Sequence, residues 1–153
     1  MGDINKRMEG SNVIIQANMG KAYDRLKWDF IIRVMRKLGF QEWFCDLCFR
    51  CYSSPWLSIS LMGKSFVFFK NVRGVRPGDP SSPFLFLLAQ DALSKNLHNL
   101  QEEGRIQPFV TRYRENNISH LIFSDDILIF TNGRCRSLKE LKGILTAYRE
   151  ASG

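Results

Sequence analysis

A chain of 153 residues with 44% hydrophobic and 24% charged side chains is long enough to bury one sizeable core and too apolar to stay disordered. Its longest uninterrupted apolar run, 84–89, is far too short to cross a bilayer, and the first dozen residues are too polar for a secretory signal. The formal charge of +7 favours a polyanionic partner, nucleic acid before an anionic membrane. The expectation is a soluble intracellular protein of the nucleus or cytoplasm with no membrane partner. Its bases are spread along the chain from Lys21 to Arg136 instead of gathered in one tail.

In chain order, residues 1–12 read as a frayed start. Val13, Ile14 and Ile15 suit a buried strand. Trp28, Ile31, Ile32, Met35 and Leu38 follow helical spacing, and Gly39 supplies the stop. A second helix is predicted over 42–52, before Pro55. It carries Cys45, Cys48 and Cys51, a C-x-x-C-x-x-C spacing that invites a metal. A fourth ligand would have to come from Cys135 or a distant His. The preferred reading is a helical stripe of positions 44, 47, 48 and 51, with Cys packing as a small hydrophobe.

Two strands are predicted at Trp56–Leu61 and 65–70, joined at Met62, Gly63 and Lys64. A Gly- and Pro-rich loop over 73–83 carries Arg73 and Arg76. It feeds a helix for which Ser82 is the predicted N-cap and Pro83 the first position. Phe86, Ala89, Leu93, Leu97 and Leu100 form the predicted buried stripe. Residues 101–117 are polar, with a short strand expected over 109–113. Ser137, Leu138, Lys139 and Glu140 read as a capping box, opening a last helix buried through Leu138, Leu141, Leu145 and Tyr148. The order β-α-α-β-β-α-β-β-α makes the fold class α+β, with helices on one face of an antiparallel sheet.

The stretch 118–130, I-S-H-L-I-F-S-D-D-I-L-I-F, places Asp125 and Asp126 between two apolar strand-like runs. One reading is a β-hairpin with a polar turn, because Asp bonds its own main chain. The other starts from repulsion: adjacent carboxylates need a compensating cation, and hard oxygen ligands suit Mg²⁺. Two such ions about 3.5–4 Å apart form a clamp for phosphoryl transfer. That clamp requires a third carboxylate from elsewhere in the chain.

Three stretches together resemble one family. N-M-G-K-A-Y-D-R-L-K-W (18–28), R-G-V-R-P-G-D-P-S-S-P-F-L-F (73–86) and I-S-H-L-I-F-S-D-D (118–126) are similar to the palm motifs of reverse transcriptases, RNA-directed DNA polymerases, of plant non-LTR (LINE-type) retrotransposons. The likeness runs from about residue 13 to the last residue, giving a partial reverse transcriptase domain over 13–153 with a polymerase palm-like sheet. It implies nucleotidyl transfer with Mg²⁺ or Mn²⁺ held by Asp125 and Asp126. It implies an RNA template, a DNA primer and deoxynucleoside triphosphates as partners. Tyr23 falls at the family's sugar gate; Arg73, Arg76 and Gly78 fall where the nucleotide and template pocket is lined.

The departures imply an impaired enzyme. Asn18 stands where the family's first catalytic Asp belongs; an amide oxygen carries no charge and cannot bridge two metals as an anion, so metal binding is expected to be weakened. Asp24 lies about 20 Å further along an extended chain and is no replacement. Pro77 replaces a Gln, deleting a backbone donor from the pocket loop. Ser124 and Gly20 are milder changes. Fingers and thumb are expected to be incomplete, leaving Trp43, Phe44, Trp56, Phe66, Phe68 and Phe69 as candidates for exposed surface and self-association. The alternative is a non-catalytic nucleic-acid-binding remnant or domesticated module. A viral RNA-dependent RNA polymerase palm also carries an Asp pair, but the R-G-V-R-P-G-D-P loop argues against it.

Overall fold

The computed structural model describes residues 12–76, 78–110 and 118–153. In chain order the elements are β1 (Asn12–Asn18), α1 (Ala22–Arg25), α2 (Trp28–Lys37), α3 (Glu42–Ser53), β2 (Trp56–Leu61), β3 (Lys64–Lys70), α4 (Ser82–Glu102), β4 (His120–Phe123), β5 (Asp126–Asn132) and α5 (Cys135–Ser152). The class is mixed α+β, as expected, but the strands form two separate antiparallel sheets and not the single one expected. The short helix α1 is an addition to the predicted order. Two compact units divide the chain: residues 1–20 with 90–150, and residues 21–89 with 151–153.

The first unit is built on a three-stranded antiparallel sheet in the order β1-β5-β4. Apolar residues alternate along β5, so Ile127 and Ile129 are buried while their neighbours are half-exposed. They form one core with Leu93, Leu97 and Leu100 of α4, Ile106, and Leu141 of α5. Ile15, Ala17, Ile122, Ile144, Leu145 and Tyr148 pack against that core, so both helices cover one sheet face. The buried stripe predicted for α4 is the one observed.

Helix α5 starts at Cys135, so Ser137 lies inside its first turn and the predicted capping box does not form. The Ser137 hydroxyl donates to the Asn132 side-chain oxygen (3.2 Å) and accepts from the Gln107 N–H (3.1 Å), while Glu140 pairs with Arg105. Long-range partners outcompeted the local cap. The strand expected over 109–113 is represented, within the described residues, by a single bridge between Pro108 and Thr131; residues 111–113 lie outside them. So do residues 1–11 of the expected frayed start, whereas Asn12 already belongs to β1.

In the second unit α2 ends as its sequence predicts. Gly39 adopts φ 86°, its N–H donates to the Arg36 carbonyl, and the Phe40 N–H reaches back to the Met35 carbonyl (3.1 Å each). Met35 and Cys45 are fully buried, and Ile31, Ile32, Tyr52 and Leu85 are buried as well. The inner face of α3 is therefore Cys45 and Tyr52, both buried, with Phe44 and Cys48 half-buried. Of the predicted stripe, 44 and 48 lie on this face, whereas Leu47 and Cys51 are exposed. Strands β2 and β3 form a separate hairpin with a two-residue turn, Met62 and Gly63, both left-handed (φ 50° and 76°). Lys64, expected in the turn, begins β3. Helix α4 begins at Ser82, and Ser81 takes the cap position, its carbonyl accepting the Leu85 N–H (3.1 Å).

Candidate functional site

The first unit assembles the acidic turn from three directions. Strand register sets Asn18 of β1 opposite Asp126 of β5. Ser124 and Asp125 form the two-residue link from β4 to β5, with Ser124 left-handed at φ 53°. The Met19 N–H donates to the Asp125 carbonyl (2.7 Å), fastening the link to the end of β1. Buried Gln90 of α4 donates its side-chain amide to the Ser124 carbonyl.

The side chains converge accordingly. The Asn18 Nδ2 lies 3.0 Å from Asp126 Oδ1 and 3.3 Å from Asp125 Oδ2. Carboxylates only accept, so the amide must turn its donor end towards them. Its oxygen turns towards Gly20, where a Cβ would sit 3.7 Å away in ordinary contact. Nearby on β4, His120 is held at both ring nitrogens, by Ser94 Oγ at Nε2 and Ser119 Oγ at Nδ1 (2.7 Å each). Burial, and then the neighbouring His98, push its pKa below the usual imidazole range.

The second unit holds the other predicted residues. The Tyr23 ring stacks on Phe86 with centroids 4.6 Å apart. Its carbonyl accepts the Val75 N–H, and the Gly74 N–H donates to the Leu26 carbonyl (2.8 Å each). The Trp28 indole donates to the Gly74 carbonyl (2.7 Å). Gly74 has φ 89°, and a Cβ there would come within 2.6 Å of the Asp24 carbonyl oxygen, so only glycine fits. The Arg76 carbonyl accepts the Ser82 hydroxyl (2.7 Å), which is why Ser82 serves the loop and not the helix cap. Asp79 accepts from both the hydroxyl and the N–H of Ser81 (2.6 and 2.9 Å), and these bonds hold its carboxyl below the ordinary range. Arg73 is exposed, Arg76 half-buried, and Gly78 left-handed at φ 85° with open space around it. Pro77 lies outside the described residues.

The sites predicted from sequence thus fall into two sets. Asn18, Asp125 and Asp126 meet in one unit; Tyr23, Arg73, Arg76 and Gly78 belong to the other. Gln90 and Ser94 were not singled out from sequence, and Trp28 was read only as a helical-stripe residue and the end of the 18–28 motif. Gln90 carried a usable signal: a lone amide one position from Ala89 on a buried stripe requires a partner. As arranged, the acidic turn does not fit a two-metal clamp. The described residues hold no cluster of three acidic, His or Cys side chains able to take an ion. A hydrogen-bond donor, not a third anion, faces the carboxylate pair.

The family described as "Reverse transcriptase (RNA-dependent DNA polymerase)" matches residues 2–152. The chain is 27% identical over 127 residues to the retrovirus-related Pol polyprotein from type-1 retrotransposable element R2 of Popillia japonica, covering 81% of this chain and 20% of that one. It is 29% identical over 121 residues to the Pol polyprotein from type-2 retrotransposable element R2DM of Drosophila melanogaster, covering 79% and 11%. An uncharacterized mitochondrial protein of Arabidopsis thaliana is 43% identical over 54 residues, 35% of this chain and 44% of that protein. The chain therefore spans less than half the length of each of these relatives.

Proposed function

Because the chain belongs to the reverse transcriptase family, we propose that residues 13–153 are part of the palm-like domain of a non-LTR retrotransposon enzyme and that this copy is catalytically impaired. Its relation to Pol polyproteins of R2 elements supports the retrotransposon assignment. A LINE-type plant element is the finer reading, supported by the motifs at 18–28, 73–86 and 118–126 and by the local identity to the Arabidopsis protein. The family's chemistry, RNA-directed DNA synthesis in which Mg²⁺ or Mn²⁺ would neutralise charge on the reacting phosphates, would engage an RNA template, a DNA primer and deoxynucleoside triphosphates. On this reading Asp125 and Asp126 stand in the positions of the family's metal-holding carboxylates, and Asn18 stands in the first catalytic position. Tyr23, Arg73, Arg76 and Gly78 face the incoming nucleotide and template; guanidinium suits phosphate and a side-chain-free residue allows close approach.

One observation carries the impairment: the Asn18 amide donates to both carboxylates at 3.0 and 3.3 Å. An uncharged donor there cannot bridge cations. Loss of one preorganised electrostatic partner typically costs about 10²–10³ in rate. Primer extension on an RNA template with Mg²⁺ or Mn²⁺ tests the reading. The expected result is no incorporation above background; robust incorporation would overturn it.

The charge of +7 favours a second reading, a module that binds nucleic acid without acting on it. Affinity for single-stranded RNA and for duplex should then fall log-linearly with salt as counterions are released. Absence of binding at low salt rejects this reading and leaves the first intact.

A further inference from the structure

We propose that the Asn18 amide takes the place of a cation in the acidic turn, so that in this chain the turn is closed by hydrogen bonds and is indifferent to divalent metal. The inference deepens the reading of this site as impaired, and rests on it only for what an ion would otherwise do there.

Three features of the geometry point the same way. The stoichiometry matches: a primary amide has two N–H hydrogens, and its nitrogen has one carboxylate oxygen of Asp126 at 3.0 Å and one of Asp125 at 3.3 Å. Two anions side by side each gain a donor, which offsets their mutual repulsion without a counter-ion. The backbone delivers the amide. Asn18 is paired with Asp126 in the strand register, and the next residue, Met19, donates its N–H to the Asp125 carbonyl at 2.7 Å. The backbone that carries the side chain is therefore held on both sides, so that only the two Asn18 side-chain torsions remain to aim the nitrogen. The far end of the amide also fits: its oxygen lies on the Gly20 side, 3.7 Å from where a Cβ there would sit, while its nitrogen faces the anions.

The nitrogen lies in the space between the two carboxylates. Mg²⁺ binds oxygens at about 2.0–2.1 Å in near-octahedral geometry. An ion bridging the same two oxygens would have to displace the amide and break both bonds. Aspartate at position 18 inverts this logic. It would add a third anion and remove the amide donor that faces the pair, so closure of the turn would come to depend on a cation. Side-chain identity at one position thus decides whether this turn is self-sufficient or metal-dependent.

The test is thermal melting of the whole chain in EDTA and in millimolar MgCl₂ or MnCl₂, for the natural protein, Asn18→Asp and Asn18→Ala. The natural protein is expected to melt at the same temperature in all three conditions. Asn18→Asp is expected to melt about 2–4 °C lower in EDTA and to recover with metal. Asn18→Ala is expected to melt lower in EDTA and to regain part of the loss with metal, because the carboxylate pair then has neither the amide nor an obstacle to an ion. The inference is overturned if the natural protein gains as much from Mg²⁺ as Asn18→Asp does, or if Asn18→Asp in EDTA is as stable as the natural protein. Should either variant fail to fold, nitrogen-15 spectra of the natural protein under Mn²⁺ titration still decide. Selective broadening of the Met19, Asp125 and Asp126 amides at micromolar Mn²⁺ would sink the idea; uniform, weak broadening supports it. Melting and line broadening read the turn, whereas primer extension reads chemistry, so the two proposals fail separately.

Discussion

The two β-hairpins of this chain share a local design and differ in everything around it. Both turn through two residues, and in both the first of these is left-handed: Ser124 at φ 53° between β4 and β5, Met62 at φ 50° between β2 and β3. Both strand pairs are rich in Ile, Leu and Phe. Yet in β5 Ile127 and Ile129 are 1% and 2% exposed beneath α4 and α5, while along β2 and β3 only Leu57 escapes the exposed class. Two strands alone are marginal in water, and the second hairpin adds a bulge at which β-branched Val67 sits at φ 54°, a costly conformation. Turn chemistry suffices to form a hairpin; what packs on its face decides whether it can hold a side chain in place. The carboxylate pair is on the packed hairpin, where Gln90 and Met19 also fasten the turn.

The sharpest way to break this contrast is to remove packing from the first hairpin. Ile127→Ala should cost about 2–5 kcal/mol by leaving a cavity beneath the sheet. Urea unfolding checks this, and a loss below 1 kcal/mol would mean that the hairpin does not depend on α4 and α5. Next in size is Gly74→Ala, in the loop that follows β3. The added Cβ would lie 2.6 Å from the Asp24 carbonyl oxygen at φ 89°. We expect a loss of about 1–3 kcal/mol, measured the same way. Such a loss would show that rigidity resumes immediately beyond the exposed hairpin, where the 73–76 stretch is bonded to Tyr23, Leu26 and Trp28.

Periodic signals over long elements were legible from sequence, and contests between local and distant partners were not. The α4 stripe from Phe86 to Leu100 and the Schellman end at Gly39 follow from spacing and from one glycine. Asn18 beside the Asp pair was expected from the family likeness, and strand register delivers it. The donor role of its amide was not legible, because an Asn can present either end and only neighbouring acceptors choose. Ser137 and Ser82 each look like caps in isolation, but groups outside their helices claimed their hydroxyls: Asn132 and Gln107 for Ser137, the Arg76 carbonyl of the preceding loop for Ser82. On α3, three cysteines at spacing three mark a stripe without saying which neighbour completes it; α2 selected Cys45 and Tyr52 over Leu47.

A gentler perturbation of the packed hairpin is pH. Burial lowers the His120 pKa below the ordinary value of about 6.5, with His98 contributing less. The unfolded chain therefore takes up this proton first. The stability contributed by neutral His120 is complete above about pH 6.5 and falls as pH drops below that value towards the lowered folded pKa. Melting temperatures of the natural protein and His120→Gln, compared at pH 8 and pH 5.5, should converge at the lower pH. Parallel curves would show that Ser94 and Ser119 accommodate the protonated ring without loss.

The smallest expected effect on stability lies on the second hairpin and separates folding from association. Phe68 is 65% exposed, beside Phe66 and Phe69 on the same strand and near Trp56, which is 64% exposed with the Lys70 ammonium over its ring. Aromatic area left in water contributes little to the monomer, so Phe68→Ser should shift its unfolding free energy by no more than about 0.5 kcal/mol. The same area is what a second molecule would bury, because clustered exposed apolar surface promotes association. Sedimentation over a range of concentrations should therefore show a larger monomer fraction for Phe68→Ser at unchanged stability. A natural chain that stays monomeric throughout, with a concentration-independent melt, would show that the exposed hairpin does not drive self-association. A large stability loss would instead show that Phe68 is covered within the monomer, and the contrast between the hairpins would then have to rest on the turn fastening by Gln90 and Met19 alone.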